Sequence, residues 1–273
     1  MRCEAMKILA LLLCLSFLAC AGSIPQQEAA NLCMEAEKLF NEGNEKSATS
    51  HEETVALWRK ASARLERAIK EGGLANGAVF YNLGNVYFRL GDMGRAILNY
   101  RRAQRFTPND SNLMRNLEYA RRNCQDSVQE QESTKVLKTL FFWHYDFALS
   151  TREMVFLIAF VAFCSLGILR IRLARSWLAI TIAGVGFMAL VMAGSIAMTE
   201  LGENRRSRGV ILDKEVVART GNSSAYEESF EKPLHAGTEF IVLENRGQWL
   251  EIQLADGKTC WIPGESADTV IIR

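Results

Sequence analysis

Three histidines and seven cysteines are the residues of this 273-residue chain best suited to metal or nucleophilic chemistry. Their spacing does not support it. His51, His144 and His235 are scattered and share no ligand spacing with any cysteine, so no zinc site is indicated. No C-x-x-C pair, phosphate loop, Ser-His-Asp order or paired carboxylates emerges, and neither a cofactor nor an enzymatic activity is expected. Beyond the N-terminal segment, Cys33, Cys124 and Cys260 lie in polar sequence and Cys164 in an apolar run. An odd number in the polar parts permits at most one bridge. Cys33–Cys124 is one option that no spacing rule selects. What the chain does offer is recognition chemistry: amides, which donate and accept at once, and aromatic rings. Asn82, Asn85 and Asn116 stand at helical spacing among Tyr81, Arg89, Arg115 and Tyr119, and Trp249 and Trp261 lie near the C-terminus.

The elements that must carry those amides are helices of a repeat. Residues 77–110 read GAVFYNLGNVYFRLGDMGRAILNYRRAQRFTPND, with Phe80, Leu83, Gly84 and Tyr87 on one face. Ala96, Tyr100 and Ala103 form a second face after the Gly91-Asp92 turn, and Pro108 stops the second helix. Gly84 and Ala96 are small where two paired helices cross closely, and the large residues fill the holes beside them. This pattern resembles the tetratricopeptide repeat (TPR) at eight signature positions. One repeat cannot bury its own faces, so neighbours are expected. Upstream, Ala36, Leu39, Phe40 and Gly43 match a first helix, and Ala61, Leu65 and Ala68 a second. Residues 44–53 between them form a polar insertion, read as a long loop or an extra helical turn. Downstream, Asn109-Asp110-Ser111 offers an N-cap. Met114 and Leu117 follow Phe80 and Leu83 by one period, giving a capping helix over 111–124. The TPR domain is thus expected over 28–127, with a degenerate repeat at about 29–72.

In TPR proteins the first helix of each pair lines a groove that often holds an extended peptide. The resemblance carries that role to Tyr81, Asn82, Asn85, Arg89, Arg115, Asn116 and Tyr119, with Asn85 and Asn116 at the places where related repeats grip a ligand's backbone. The alternative is that they are solvated or inter-helix polar residues. Arg95, Arg101, Arg102 and Arg105 fall on the second helix, on the convex side, and read as a solvated face before an anion-binding one.

Composition explains how these helices are delivered. The chain is 49% apolar with a net charge of +1, which excludes a uniformly basic nucleic-acid binder. The average hides three apolar blocks. Arg2 and Lys7 precede apolar residues 8–18 and small residues to Ala21, the order of a secretory signal over 1–21, either cleaved near Ala19 and Ala21 or lipidated at Cys20. Residues 154–169 and 177–198 carry no charge and are read as transmembrane helices over 151–171 and 177–198. The first is short unless Arg152 and Arg170 reach for the surface. Phe141, Phe142, Trp143 and Tyr145 crowd an interfacial linker at 128–150. Arg170, Arg172 and Arg175 in the connection place residues 170–176 in the cytoplasm and both flanks outside. Gly184, Gly186, Ala189, Ala193 and Gly194 give the second span small faces for packing.

After residue 206 the period changes. Short strands are expected at 210–212, 215–219, 239–243, 249–254, 259–262 and 269–272, with Gly237, Gly247 and Gly257 at turns. Residues 207–273, with Gly247-Gln248-Trp249 and Cys260-Trp261-Ile262-Pro263, resemble the bacterial SH3-like domain, whose glycine before the second tryptophan is Cys260 here. Trp249 and Trp261 either close the small core or form a shallow ligand surface. This tail is acidic, with 9 basic and 13 acidic residues over 200–273.

The expected fold is therefore multidomain: an all-α TPR repeat domain, a two-helix transmembrane hairpin and a small all-β SH3-like barrel. This order of modules, with YNLGN at 81–85 and FFWH at 141–144, resembles the Bacteroides aerotolerance (Bat) group of membrane proteins. The resemblance implies a multi-pass protein of the bacterial inner membrane in a stress- or aerotolerance-related complex with von Willebrand A-domain proteins and a MoxR-type ATPase. The rival expectation is an envelope sensor that binds peptidoglycan, with the helices as spacer.

Overall fold

A computed structural model describes residues 23–126, 141–173, 175–205 and 207–271. The expected signal at 1–21 and residues 128–140 of the linker lie outside the described residues. The chain divides into two compact units at Gly91/Asp92.

The first unit holds α1 (Gln26–Lys46), α2 (His51–Lys70) and α3 (Gly77–Arg89). Caps set two of the three starts: Ser50 Oγ accepts from the Glu53 amide and Asn76 Oδ1 from the Val79 amide. The polar insertion at 44–53 is taken up mostly by helix. α1 runs on to Lys46 and α2 begins at His51, leaving a four-residue link. Of the α1 residues matched to a first repeat helix, Ala36 and Gly43 are buried and Leu39 and Phe40 half-buried, with Ala29 and Leu32 completing the buried stripe; on α2, Ala61, Leu65 and Ala68 are buried. Gly43 allows a close crossing, since a Cβ there would meet the Trp58 indole at 2.7 Å. On α3 the signature residues Phe80, Leu83, Gly84 and Tyr87 are all buried.

The second unit begins with α4 (Met93–Phe106), capped by Asp92, and α5 (Ser111–Arg122), capped by Asp110. Ala96, Tyr100 and Ala103 are buried, and Pro108 follows the Thr107 C-cap. One register expectation shifts. The position one period after Phe80 is Met114, which is 40% exposed, while Leu113, Leu117 and Ala120 form the buried stripe. The reason is spacing: 113, 117 and 120 lie on one helical face, and Met114 sits about 100° away from Leu113.

After a single turn, α6 (Phe142–Tyr145), come two long apolar helices, α7 (Leu149–Arg172) and α8 (Ser176–Arg205). Both contain stretches long and apolar enough to cross a membrane, Leu149–Arg172 and Ser176–Thr199. Only residues 173–175 separate the helices, so Arg170 and Arg172 belong to the last turn of α7 and not to a loop. Gly186 faces α7, where a Cβ would stand 3.0 Å from the Phe163 ring, whereas Gly184 and Gly194 meet open space. Phe141, Phe142, Trp143 and Phe147 form edge-to-face pairs just ahead of α7.

Seven strands follow. β1 (Arg208–Ile211), β4 (Glu239–Arg246), β5 (Trp249–Leu254), β6 (Thr259–Pro263) and β7 (Ala267–Thr269) make one antiparallel sheet in the order β6-β5-β4-β1-β7. β2 (Glu215–Val216) and β3 (Leu234–His235) make a second, two-stranded sheet. Gly237, Gly247 and Gly257 all have positive φ, which L side chains adopt at a cost, so the turns fall where the glycines predicted them. The last strand lies at 267–269, earlier than the expected 269–272, because its register with β1 pairs Ala267 with Ile211. Ile211, Phe240, Leu250, Ile252, Cys260 and Ile262 fill the core.

Candidate functional site

The expected peptide-binding residues fall into two groups. Tyr81, Asn82, Asn85 and Arg89 share a face of α3 in the first unit, with Asn82 and Arg89 exposed and Tyr81 and Asn85 half-buried. Arg115, Asn116 and Tyr119 lie along α5 in the second, where Arg115 and Tyr119 are exposed and Asn116 half-buried. Arg115 is held by the Asn112 side chain. These are polar and aromatic groups on ordered helices. Buried apolar residues on other faces of α3 and α5 fix the helices that carry them.

Trp261 is buried, with the Arg246 guanidinium 5.2 Å from its ring centre, and Trp249 is half-buried. Arg246 is itself tied to Glu244 at 2.8 Å. Trp261 is thus covered on the face of β6 opposite the core residues Cys260 and Ile262, with a cation over its ring.

The basic face of α4 is not simply solvated. Arg101 Nε donates to Glu239 Oε2 at 2.5 Å, and Arg121 Nε of α5 donates to Glu239 Oε1 at 2.6 Å. Glu239 opens β4, so one carboxylate joins two helices to the sheet. Burial alone would raise its pKa, but the two guanidinium groups outweigh that and hold it below the ordinary range. Beside it, Arg102 donates to Asp268 at 2.9 Å and to the Thr269 carbonyl at 2.7 Å, both on β7. Arg95 behaves as expected and pairs locally with Asp92.

A second polar knot sits at the end of α5. Asp126 accepts from the His235 amide at 2.7 Å and from Thr238 Oγ1 at 2.6 Å, and faces His235 Nδ1 at 2.9 Å. Burial opposes ionisation of Asp126, yet the Thr238 and His235 donors hold its pKa below normal.

Between the two knots the contact is close and apolar. A Cβ on Gly94 would stand 2.7 Å from the Ile211 carbonyl oxygen, so α4 meets the end of β1 where only glycine fits. Ile97 is fully buried, 3.3 Å from where a Gly237 Cβ would project, and Cys124 lies against the same glycine. Burial, with Glu239 and Asp126 nearby, pushes the Cys124 thiol up to about 11. Cys33, Cys124, Cys164 and Cys260 are all free thiols.

At the end of the hairpin away from its turn, Arg152 lies against α8. Its side chain is buried and donates to Ser195 Oγ and Thr199 Oγ1, both at 2.9 Å, while His144 Nδ1 meets Ser195 Oγ at 2.8 Å. The cation is turned inward because two hydroxyls of α8 come within its reach. Among the described residues, no three His, Cys, Asp or Glu side chains are grouped to hold a metal ion. No protein-family model matches the chain, and no curated protein matches it significantly.

Sequence reasoning missed the contact between α4, α5 and the sheet. Two signals for it were present: Ile97 and Leu98 on a helix face read as solvated, and an acidic tail matching a basic helix pair.

Proposed function

We propose that this chain is a non-catalytic adaptor of the bacterial inner membrane. In this reading TPR helices and an SH3-like domain lie outside the cytoplasm and engage partner proteins, and the α7–α8 hairpin anchors them. The observation that carries it is the pairing of Arg101, Arg102 and Arg121, which precede the two apolar helices, with Glu239 and Asp268, which follow them. Flanks that touch must lie on one side of a bilayer, so the chain crosses an even number of times between them. The arginines of residues 170–175 favour the cytoplasm for the turn.

The polar faces of α3 and of α5, one in each unit, are each suited to a partner segment: α3 through the amides of Asn82 and Asn85 and the ring of Tyr81, α5 through the amide of Asn116 and the ring of Tyr119. Arg89 and Arg115 favour an acidic one. Those faces and the module order support membership of the Bat group, with von Willebrand A-domain proteins and a MoxR-type ATPase as partners. The peptidoglycan-sensor reading needs an open aromatic surface on the β domain, and the burial of Trp261 weighs against it.

Two experiments test this. Replacing Asn85 and Asn116 with Ala should remove co-purifying membrane partners while leaving the hairpin inserted; retained partners together with binding of the full chain to peptidoglycan sacculi would favour the sensor. For topology, Lys214→Cys should react with an impermeant thiol reagent from the periplasm and Arg175→Cys should not. The reverse pattern rejects the orientation.

A further inference from the structure

α8 contains 30 residues in one helix, about 45 Å long, against a hydrocarbon core of about 30 Å. Its membrane-compatible stretch ends at Thr199, and the helix continues without interruption to Arg205. Ser207 already belongs to the sheet, since its carbonyl accepts from the Val242 amide at 2.7 Å. A single residue, Arg206, therefore separates the span from the β domain. β1, which follows at once, lies between β4 and β7. Its Ile211 end meets α4 at Gly94, and its neighbour across the ladder from Val210 is Glu239, gripped by Arg101 and Arg121. The path from α4 and α5 to the outer end of α8 thus runs through side-chain ion pairs, a strand ladder and a continuous helix. The other path, from α5 to α7, passes through residues 127–140 and the short α6, a far longer covalent connection. α4 also touches α7, but no chain continuity joins them within that stretch.

We propose that this path is a transmission element: a displacement of α4 and α5, such as a bound partner imposes, moves the outer end of α8 against α7. It rests on the spanning hairpin and same-side flanks argued above and adds a signalling role to the anchor. The contacts that would respond are those of Arg152 with Ser195 and Thr199. A shift of α8 by one residue's rise, about 1.5 Å, stretches a 2.9 Å hydrogen bond beyond its working range. Coupling of this kind is carried by rigid elements with few compliant links, and here α8 and Ser207 are one residue apart in sequence.

The test is amide hydrogen exchange, read by mass spectrometry, on the full chain in lipid nanodiscs. Four proteins are compared: the native chain, Glu239→Gln, and each of these with Gly-Ser-Gly-Ser inserted between Arg206 and Ser207. Glu239→Gln should speed exchange of residues 196–205 by about tenfold in the uninterrupted chain and less than about twofold in the chain with the insertion. Equal exchange of that segment in native and Glu239→Gln chains overturns the proposal, as does an equal increase with and without the insertion. If Glu239→Gln unfolds the β domain, seen as lost protection in β5 and β6, Asp268→Asn replaces it with the same expectation at about threefold. Exchange of residues 180–192 within minutes in the native chain would instead reject the spanning hairpin, and the proposal with it.

Discussion

The two units use the same ion-pair chemistry to different ends. In the first, Arg64–Glu35 at 2.9 Å and Arg67–Glu28 at 3.1 Å bridge α1 and α2 with all four side chains more than 40% exposed. In the second, Arg101–Glu239 is as close, yet the side chains are 14% and 21% exposed. Water screens the first pairs and leaves them little net value. The second pair has already given up much of its hydration, so removing one partner strands a buried charge. Helices α1 and α2 are held by their alanine and leucine stripes, and the ion pairs decorate them. The contact between α4, α5 and the sheet joins these shielded charges to the apolar packing of Ile97.

That contrast sets an order of expected effects. Glu239→Ala should be the most damaging, at about 3–5 kcal/mol, because it removes the one carboxylate that pairs with both Arg101 and Arg121 where water is largely excluded. Thermal melting of the full chain in detergent, followed by intrinsic tryptophan fluorescence of the β domain, reads the loss. Ile97→Ala should follow at about 2–4 kcal/mol, since its side chain is fully buried where α4 meets Gly237; little change would mean the contact is wet. Next comes acid. The folded pKa values of Glu239 and Asp126 lie below their unfolded values, so their contribution is complete above the ordinary carboxylate range, near pH 4, and fades as pH falls through the depressed values. Stability should therefore stay flat in these two terms from pH 7 to about 5 and drop below about 4, and Asp126→Asn should make the drop shallower. Arg64→Ala should be smallest, about 0.5 kcal/mol or less, and should shrink further in salt.

Much of the fold was legible because its causes are local. Asp110 marks a helix start and Gly91-Asp92 a turn, Phe80, Leu83 and Tyr87 keep the 3.6-residue period, and Gly237, Gly247 and Gly257 sit where φ is positive. Residues 154–169 and 177–198 mark, by composition alone, two helices long and apolar enough to cross a membrane. The contact between α4 and the sheet was not legible, since Arg101 and Glu239 are 138 residues apart and each reads locally as a solvated charge. The partners of Arg152 were hidden for a similar reason. Its inward turn depends on Ser195 and Thr199, more than forty residues away on another helix. The candidate partner faces, one on α3 and one on α5, were read from helical spacing, which places residues on a surface and leaves open what meets them there.

The docking of α4 and α5 on the sheet can be tested by one covalent link. A Cβ at Gly237 would stand 3.5 Å from the Cys124 Cβ, within disulfide geometry. Gly237→Cys in the full chain, oxidised in native membranes and mapped by non-reducing peptide analysis, should yield a 124–237 disulfide in most molecules despite the strain of a side chain at that positive φ. If both thiols stay separately alkylatable while the β domain remains folded, the helices and the sheet are not joined as described.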